Sequence, residues 1–384
     1  MGGESSGKGR RLRRVDFRRN RQTPARRKRW EIPTDDDQGT EVFSREAVKA
    51  KGDLSRKRTV VEIDQDQSRG EGSWLKGIAV AVRGQFVDVD VDGRIWPCTV
   101  RRVLRTLLIR NRSPVVVGDE VAISIVADEA GVVNEGVIEH VYPRRTALSR
   151  CDGKKTHMIA ANVDQVLVIT SIREPMIKPH LIDRYLVAAH AGNLPAAICV
   201  NKVDLDPDPE DETAEVLTRY RRLGYAAVAT SAVEGTGLDE LRSLLTGKVT
   251  LLAGQSGVGK SSLINALEPG LNLKTAPVSL ASEKGRHTTT TAVRLKLSFG
   301  GAVVDTPGIR ALDVAMVPIN ELEMHFVEFV DRIANCKFPN CVHIHEEGCE
   351  IKAAVKSGEI DESRYASYVE LFYELSDVKR AGYE

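Results

Sequence analysis

One eight-residue stretch, Gly254-Gln255-Ser256-Gly257-Val258-Gly259-Lys260-Ser261, constrains this chain more than any other. The apolar run Val249–Ala253 precedes it and the apolar stretch Leu263–Leu267 follows, so it reads as a loop between a buried strand and a helix. Glycines at its first, fourth and sixth positions let backbone N–H groups curl around phosphate oxygens. The helix start that follows adds positive potential. Lys260 should reach the β and γ phosphates, and the Ser261 hydroxyl should bind Mg²⁺. The intervening Gln255, Ser256 and Val258, with Ser262 just behind, complete the candidate phosphate cradle. Further short apolar runs, Val166–Thr170, Ala196–Val200 and Ala226–Ala229, have the character of buried parallel strands. Helical segments at Leu181–Ala191 and Asp211–Leu223 separate them, and Val293–Phe299 and Ala302–Asp305 complete an α/β sheet.

A phosphate loop alone does not choose between adenine and guanine. Asn201-Lys202-Val203-Asp204, which follows the run Ala196–Val200, does. The Asp204 carboxylate can accept hydrogen bonds from guanine N1 and the 2-amino group, which adenine cannot supply, and a polar group left unpaired discriminates strongly. Asn201 would brace neighbouring loops, and the Lys202 stem would lie along the base. Thr230-Ser231-Ala232 follows another run; Ser231 belongs to the same pocket, and the Ala232 N–H can read the guanine oxygen. Asp305 ends a further strand and can hold Mg²⁺ through water, with the Gly308 N–H placed for the γ-phosphate. Between the phosphate loop and Asp305 lies Gly285-Arg286-His287-Thr288-Thr289-Thr290, where a threonine can close over Mg²⁺ and the γ-phosphate. Thr289 is favoured, with Thr288 next. The ligands read from these motifs are GTP and Mg²⁺.

The order of these motifs is unusual. Guanine reader, phosphate loop, threonine switch and the Asp305 motif follow one another, whereas a Ras-like domain begins with the phosphate loop and reads the base late. Such a rotation preserves the pocket and changes what is attached to its moving parts. The second switch runs almost directly into the C-terminal region, so loss of γ-phosphate contacts could pull on that region by covalent connection. At its other end the domain is joined to the preceding region through residues 142–163.

One departure bears on catalysis. Ile309 follows Asp305-Thr306-Pro307-Gly308, so the glutamine that would orient water close behind that glycine is missing. Hydrolysis should then be slow alone and depend on another group or a partner. His287 could orient the attacking water, or could simply pack within the switch; both readings stand. Arg286 could sense phosphate or be solvated.

Outside this region, charge is distributed unevenly. Residues 1–30 carry twelve Lys/Arg against Glu4 and Asp16, a charge of +10 that leaves −9 on the rest of a chain whose net charge is +1. A basic arm with so few apolar residues should be disordered when free. It suits nucleic-acid phosphates, a solubilising role, or, less well, an organellar transit peptide. The same polar character runs to about Ser73. From Trp74 the runs Gly77–Val82, Gln85–Val91, Ile95–Val100, Val115–Ile125 and Val132–Val141 suit a small closed barrel such as an OB-fold. Within that barrel Arg94, Arg101, Arg102, Arg105, Arg110 and Arg112 occur without an acid between them. They read equally as an RNA track or as scattered surface charge. No stretch approaches the roughly 18–20 apolar residues of a membrane helix, and no secretory h-region is seen near Met1, so a cytoplasmic location is expected.

The last chemical cluster is Cys336-x₄-Cys341-x-His343-x₅-Cys349. Three thiols and an imidazole in a reducing compartment favour one tetrahedral, structural Zn²⁺; the alternative is buried or reactive free cysteines. His345 competes as a ligand, although Cys349 already completes a set of four. Cys98, Cys151 and Cys199 stand alone and read as core residues.

The rotated order, a small barrel before it and this Cys/His spacing after it resemble the RsgA family, circularly permuted GTPases of small ribosomal subunit biogenesis. The resemblance covers roughly Trp74 to Leu375 and rests on Asn201–Asp204, Gly254–Ser262, Gly285–Thr290, Asp305–Gly308 and the four metal positions. It implies a multidomain α/β protein: an N-terminal OB-fold β-barrel (74–145), a central circularly permuted Ras-like P-loop GTPase domain (146–315) and a mainly helical zinc-binding domain (316–384). Residues 1–73 form an extension outside that pattern, and its role is not inherited. The family implies binding to the small subunit and its rRNA, with hydrolysis stimulated by the subunit; a monomer without membrane association is expected. A hydrophobic residue in place of the catalytic glutamine is shared with Ile309, and the family's first-switch histidine corresponds to His287.

Overall fold

The computed structural model describes residues 74–101, 104, 115–127, 133–152, 155–208, 212–271, 273, 292–305, 314 and 317–381, together with two short strands earlier in the chain. These two, β1 (Leu12–Arg14) and β2 (Thr59–Val61), pair antiparallel within a unit spanning Met1–Gly72, distinct from the unit Ser73–Glu384. They are an exception to the expected lack of structure before Ser73; the remainder of that expectation lies outside the described residues.

In the larger unit, β3 (Leu75–Arg83), β4 (Phe86–Val91), β5 (Arg94–Val100), β6 (Glu120–Ala127) and β7 (Val133–Val141) close on themselves. Strand β3 pairs with both β4 and β6, β4 with β5, β5 with β7, and β7 with β6. Closure leaves no free edge within the ring. Successive side chains point to opposite faces of a strand, so Val87, Val89 and Val91 of β4 meet Trp96, Cys98 and Val100 of β5 inside. The run Val115–Ile125, expected as one strand, is interrupted. Asp119, fully buried, accepts hydrogen bonds from the Val116 N–H (2.8 Å) and from Arg144 Nε (2.5 Å) and Nη2 (2.7 Å), and the regular strand starts only at Glu120. Residues 142–163 are more than a joining segment. They hold a hairpin, β8 (Ala147–Asp152) with β9 (Lys155–Ala161), that sequence reasoning missed. The signal was available, because the two residues between Asp152 and Lys155 begin with Gly153, and a Gly-X pair is a favoured two-residue hairpin connection.

The α/β part is built on five parallel strands in the order β12-β11-β10-β13-β15. These are β10 (Gln165–Ser171), β11 (Ala196–Asn201), β12 (Ala226–Thr230), β13 (Val249–Ala253) and β15 (Ala302–Asp305). Strand β14 (Val293–Lys296) runs antiparallel to β15 and bridges to β3 through Val293↔Ala81, so the barrel and the α/β sheet form one continuous sheet. It ends three residues earlier than its apolar run suggests, because residues 298–300 form a turn.

Both faces of the parallel sheet are covered, which is why its strands read as continuous apolar runs. Val166, Val168, Ile198 and Val200 face α1 (Pro179–Ala191) and α2 (Ala214–Arg222). Leu167, Ile169, Ala197 and Cys199 face α3 (Leu238–Leu245), absent from the sequence reading, and α4 (Lys260–Leu267). Beyond residue 316 come 3₁₀ turns, α5 (Val327–Val330), α6 (Glu350–Lys356) and the long α7 (Glu362–Ala381). Phe326, Phe329, Tyr368, Leu371 and Leu375 from this region join the same core as Ile182, Tyr185 and Leu186 of α1. Within that seam Arg364 is 1% exposed; it donates to Asp183 Oδ1 (2.6 Å) and, through Nε and Nη2, to Glu328 (2.7 and 3.0 Å). Tyr220 also donates to Asp183 Oδ1, at 2.9 Å.

Candidate active site and metal centre

In an open α/β sheet ligands bind beyond the carboxyl ends of the strands. Here β11 ends at Asn201, β12 at Thr230, β13 just before Gly254 and β15 at Asp305. Because these strands are parallel neighbours, motifs spread over more than one hundred residues arrive at one edge. Chain rotation leaves that convergence intact, since it depends on strand order in space.

The phosphate loop Gly254–Gly259 links β13 to α4, with Val258 buried and Ser256 and Gly257 exposed. Two glycines there are required by close approach. A Cβ at Gly254 would lie 2.1 Å from the Ile169 carbonyl oxygen, and at Gly259 (φ +92°) it would lie 2.4 Å from Asn201 Nδ2. Lys260 Nζ rests on the loop's own carbonyls, donating to Gly254 O (2.8 Å) and Gln255 O (2.7 Å). Burial pushes its pKa down and the Asp305 carboxylate partly opposes this. A desolvated ammonium held on backbone oxygens is poised to exchange them for phosphate oxygens, which are stronger partners. Ser261 and Ser262 occupy the first turn of α4, half-buried beside the loop.

On the base side, Asn201 is 1% exposed and fastened at both ends. Its Nδ2 donates to Val258 O of the phosphate loop (2.8 Å), while Oδ1 accepts from Thr230 Oγ1 (3.1 Å). Asp204 accepts from Ser231 Oγ (2.6 Å), which itself accepts the Glu234 N–H (3.1 Å). Asp204 and Ser231 therefore stand side by side, with Ala232 next in the chain. Sequence reasoning quoted Thr230 without giving it a task; its hydroxyl fixes which way the Asn201 amide points. Lys202 adopts left-handed backbone (φ 63°) and its ammonium donates to the Glu174 carbonyl, a contact no motif announced. Arg286, His287, Thr288, Thr289, Gly308 and Ile309 lie outside the described residues.

Among the barrel arginines, Arg94 is exposed and its guanidinium lies 3.9 Å over the Trp96 ring. Arg101 is ion-paired with Glu139, so it is not a free charge on that face. Arg102, Arg105, Arg110 and Arg112 lie outside the described residues.

The Cys/His cluster assembles as its spacing suggests. Ligand atoms of Cys336, Cys341, His343 and Cys349 all lie within 4.8 Å of one another. His343 Nδ1 stands 3.5 Å from Cys336 Sγ and 3.4 Å from Cys349 Sγ. Tetrahedral Zn²⁺ with ordinary Zn–S and Zn–N lengths requires edges of roughly 3.5–3.8 Å; the two His343–thiol edges match, and the set as a whole, spread over up to 4.8 Å, would tighten around an ion. His343 Nε2 meets Glu323 Oε2 at 2.7 Å, which selects the tautomer that turns Nδ1 toward the thiols. Spacing offered no hint of Glu323, which is thirteen positions before the first cysteine. Burial pushes the Cys341 thiol up to about 12 and that of Cys349 in the same direction, so without a cation these groups remain neutral. His345 points away, its Nε2 3.4 Å from the Tyr373 hydroxyl. The knuckle is clamped by Glu346, which accepts N–H groups of Val342, Ile344 and His345, and by Tyr365 and Tyr368 hydroxyls on the carbonyls of His343 and Val342. Cys98 and Cys199 are buried as expected, while the Cys151 side chain lies outside the described residues.

Comparison with known proteins agrees with this geometry. The family model described as RsgA GTPase matches residues 141–315. The small ribosomal subunit biogenesis GTPase RsgA of Shewanella oneidensis is 39% identical over 323 residues, covering 83% of this chain and 88% of that protein. The protein of the same name from Thermotoga maritima is 41% identical over 303 residues, covering 78% and 96%. Among solved structures, YjeQ from Thermotoga maritima superposes with a TM-score of 0.63 at 39% identity, over 79% of this chain and 98% of that one. YloQ, a circularly permuted GTPase, does so with 0.60 at 29% identity, over 80% and 97%.

Proposed function

Because the chain belongs to the RsgA family of GTPases, we propose that it hydrolyses GTP on the maturing small ribosomal subunit and leaves when the nucleotide is spent. The relatives' names supply the subunit. The observation that carries the nucleotide half is the bond from Asn201 Nδ2 to Val258 O, which ties the guanine reader to the phosphate loop across the sheet edge.

Each residue then has a task. Asp204 and Ser231 read the guanine edge, with the Ala232 N–H on the guanine oxygen and the Lys202 stem along the base. Residues Gly254 to Ser262 cradle the phosphates, and Lys260 neutralises the β and γ charges. Ser261, Thr289 and Asp305 would hold Mg²⁺, which when bound offsets charge developing on the phosphoryl oxygens. Gly308 would bind the γ-phosphate, and His287 would orient the attacking water in place of the missing glutamine. Such a site hydrolyses slowly by itself and needs another group or a partner, and Ile309 standing where it does supports the subunit as that partner. Cys336, Cys341, His343 and Cys349 would hold a structural Zn²⁺.

The working division is an extension (1–73), an RNA-binding barrel (74–145), the GTPase domain (146–315) and the zinc-binding domain (316–384), acting as a monomer in the cytoplasm. Arg94, stacked on an aromatic ring, is the best supported of the RNA-facing arginines; Arg101 contributes less because Glu139 already neutralises it. No described helix is long and apolar enough to cross a membrane. The deciding measurement is GTP turnover with and without purified small subunits. Acceleration by subunits supports the reading, and an unchanged rate would leave a nucleotide-sensing RNA binder without meaningful turnover.

A further inference from the structure

The contact between Lys202 and Glu174 belongs to no nucleotide motif, and it leads to an unassigned part of the site. The segment from Ser171 to Lys178, which joins β10 to α1, folds beside both halves of the pocket. Ser171 is fully buried and pairs in register with Asn201 across the β10–β11 ladder. Its Oγ donates to Pro175 O (2.8 Å), closing the segment into a tight loop. Two backbone bonds reinforce that closure: the Ile172 N–H donates to Asn201 O (3.1 Å) and the Ile177 N–H to Ile172 O (3.3 Å).

The closed loop presents the Glu174 carbonyl to the Lys202 ammonium. It also places the Pro175 ring against the phosphate loop, where a Cβ added at Gly257 would meet Pro175 Cδ at 3.6 Å. From outside, Arg173 is anchored on the loop that follows the guanine reader, donating to Glu212 (2.5 Å) and lying 3.9 Å from Asp206. One short loop therefore touches the residue that covers the base, the loop behind it and the loop that holds phosphate.

We propose that Ser171 is a positioning residue for guanine nucleotide binding, acting through the Glu174 carbonyl on Lys202. A lysine stem has four rotatable bonds and lies over a base only if its far end is fixed, because each unfixed rotor costs binding free energy when it is ordered. The carbonyl supplies that fixed point, and the buried hydroxyl holds the carbonyl in place. Lys202 covers the base, which GDP and GTP share, so loosening the loop should weaken both alike. The inference rests on reading Asn201–Asp204 as the guanine reader. That reading fails separately, if Asp204→Asn leaves the preference for GTP over XTP unchanged.

The test is a double-mutant cycle on nucleotide affinity, measured by titrating the full chain with fluorescent GDP and GTP. Ser171→Ala should weaken both by about five- to tenfold, the effect of one hydrogen bond in a buried setting. Ser171→Thr, which keeps the hydroxyl, should restore most of the loss. In a Lys202→Ala background, Ser171→Ala should cost less than about twofold, because the group being positioned is gone. Arg173→Gln loosens the same loop from its partly exposed side and should behave alike with a smaller loss, so it serves if Ser171→Ala fails to fold. An undiminished loss in the Lys202→Ala background would overturn the proposal, as would an unchanged affinity in both single variants.

Discussion

At the residue scale the base pocket depends on a few hydrogen bonds that each serve two loops. Asp204 receives Ser231 Oγ at 2.6 Å and keeps its remaining acceptor capacity for the guanine edge. Asp204→Asn preserves size but offers an amide donor where the guanine 2-amino group also donates. GTP affinity should fall by at least about a hundredfold, since a site built for a hydrogen bond rejects the mismatched partner strongly. XTP, whose 2-oxo group accepts in place of the 2-amino donor, should gain, and competition titrations of the two nucleotides read the switch directly. Gly259→Ala tests the seam between the two loops. Its Cβ would collide with Asn201 Nδ2 at 2.4 Å in backbone that already has φ +92°. Displacing Asn201 breaks the Val258 bond, so nucleotide affinity should drop roughly tenfold or more, given about 1–3 kcal/mol for such strain. Unchanged nucleotide binding in Gly259→Ala would contradict the role given to Asn201. These residues were legible in the sequence because their chemistry is tied to spacing along the chain. Thr230, Glu174 and Ser171 were not, because each acts through a neighbour in space and carries no pattern of its own.

At the element scale the sequence was read best where physics acts locally. Strands β13 and β15 coincide with their apolar runs, Val249–Ala253 and Ala302–Asp305, because a strand buried on both faces has no polar alternation to blur its ends. The hairpin β8–β9 was missed because Ser149, Arg150, Thr156 and His157 interrupt its apolar pattern. Helix α3, only eight residues long, gives too few turns for a clear period. The cysteine knuckle was legible as a ligand set, whereas the carboxylate orienting its histidine was not. Glu323 sits on a 3₁₀ turn and reaches His343 Nε2 from outside the knuckle. Glu323→Ala should therefore lower zinc affinity about ten- to hundredfold without removing a ligand, as read by competition with a chelating dye. Cys341→Ser should abolish stoichiometric zinc altogether, and metal analysis finding about one zinc per chain in both proteins would refute the assignment.

At the scale of the whole molecule, motif order suggested that the second switch pulls on the C-terminal region through the chain itself. Packing shows a second and broader connection. The C-terminal region shares one apolar core with α1 and α2, and Arg364 links Asp183 of α1 to Glu328 within it. Arg184–Glu374 and Arg219–Asp361 flank that seam. Helix α1 begins where the Ser171–Lys178 loop ends, so the cysteine knuckle is seated on the part of the GTPase domain that carries Asn201–Asp204. The barrel, by contrast, has most of its core to itself, with Val117 and Val82 reaching the α/β core, and it meets the sheet through β14 at Val293↔Ala81. Replacing Arg364 with methionine would leave Asp183 and Glu328 buried without their cation, a change that costs about 3–5 kcal/mol. For a folding unit of this size that lowers the melting midpoint by roughly 10 °C. All three tryptophans, Trp30, Trp74 and Trp96, precede the parallel sheet, whereas α1 to α4, α6 and α7, the named helices longer than a single turn among the described residues, lie within it or follow it. Thermal unfolding of Arg364→Met should accordingly show the helical circular dichroism transition moving down together for GTPase and C-terminal helices, in one step. Emission from Trp74 and Trp96 in the barrel, read in a Trp30→Phe background, should shift less. Two resolved helical transitions would mean that the C-terminal region folds apart from the GTPase, and the seam would then be a contact between independent modules.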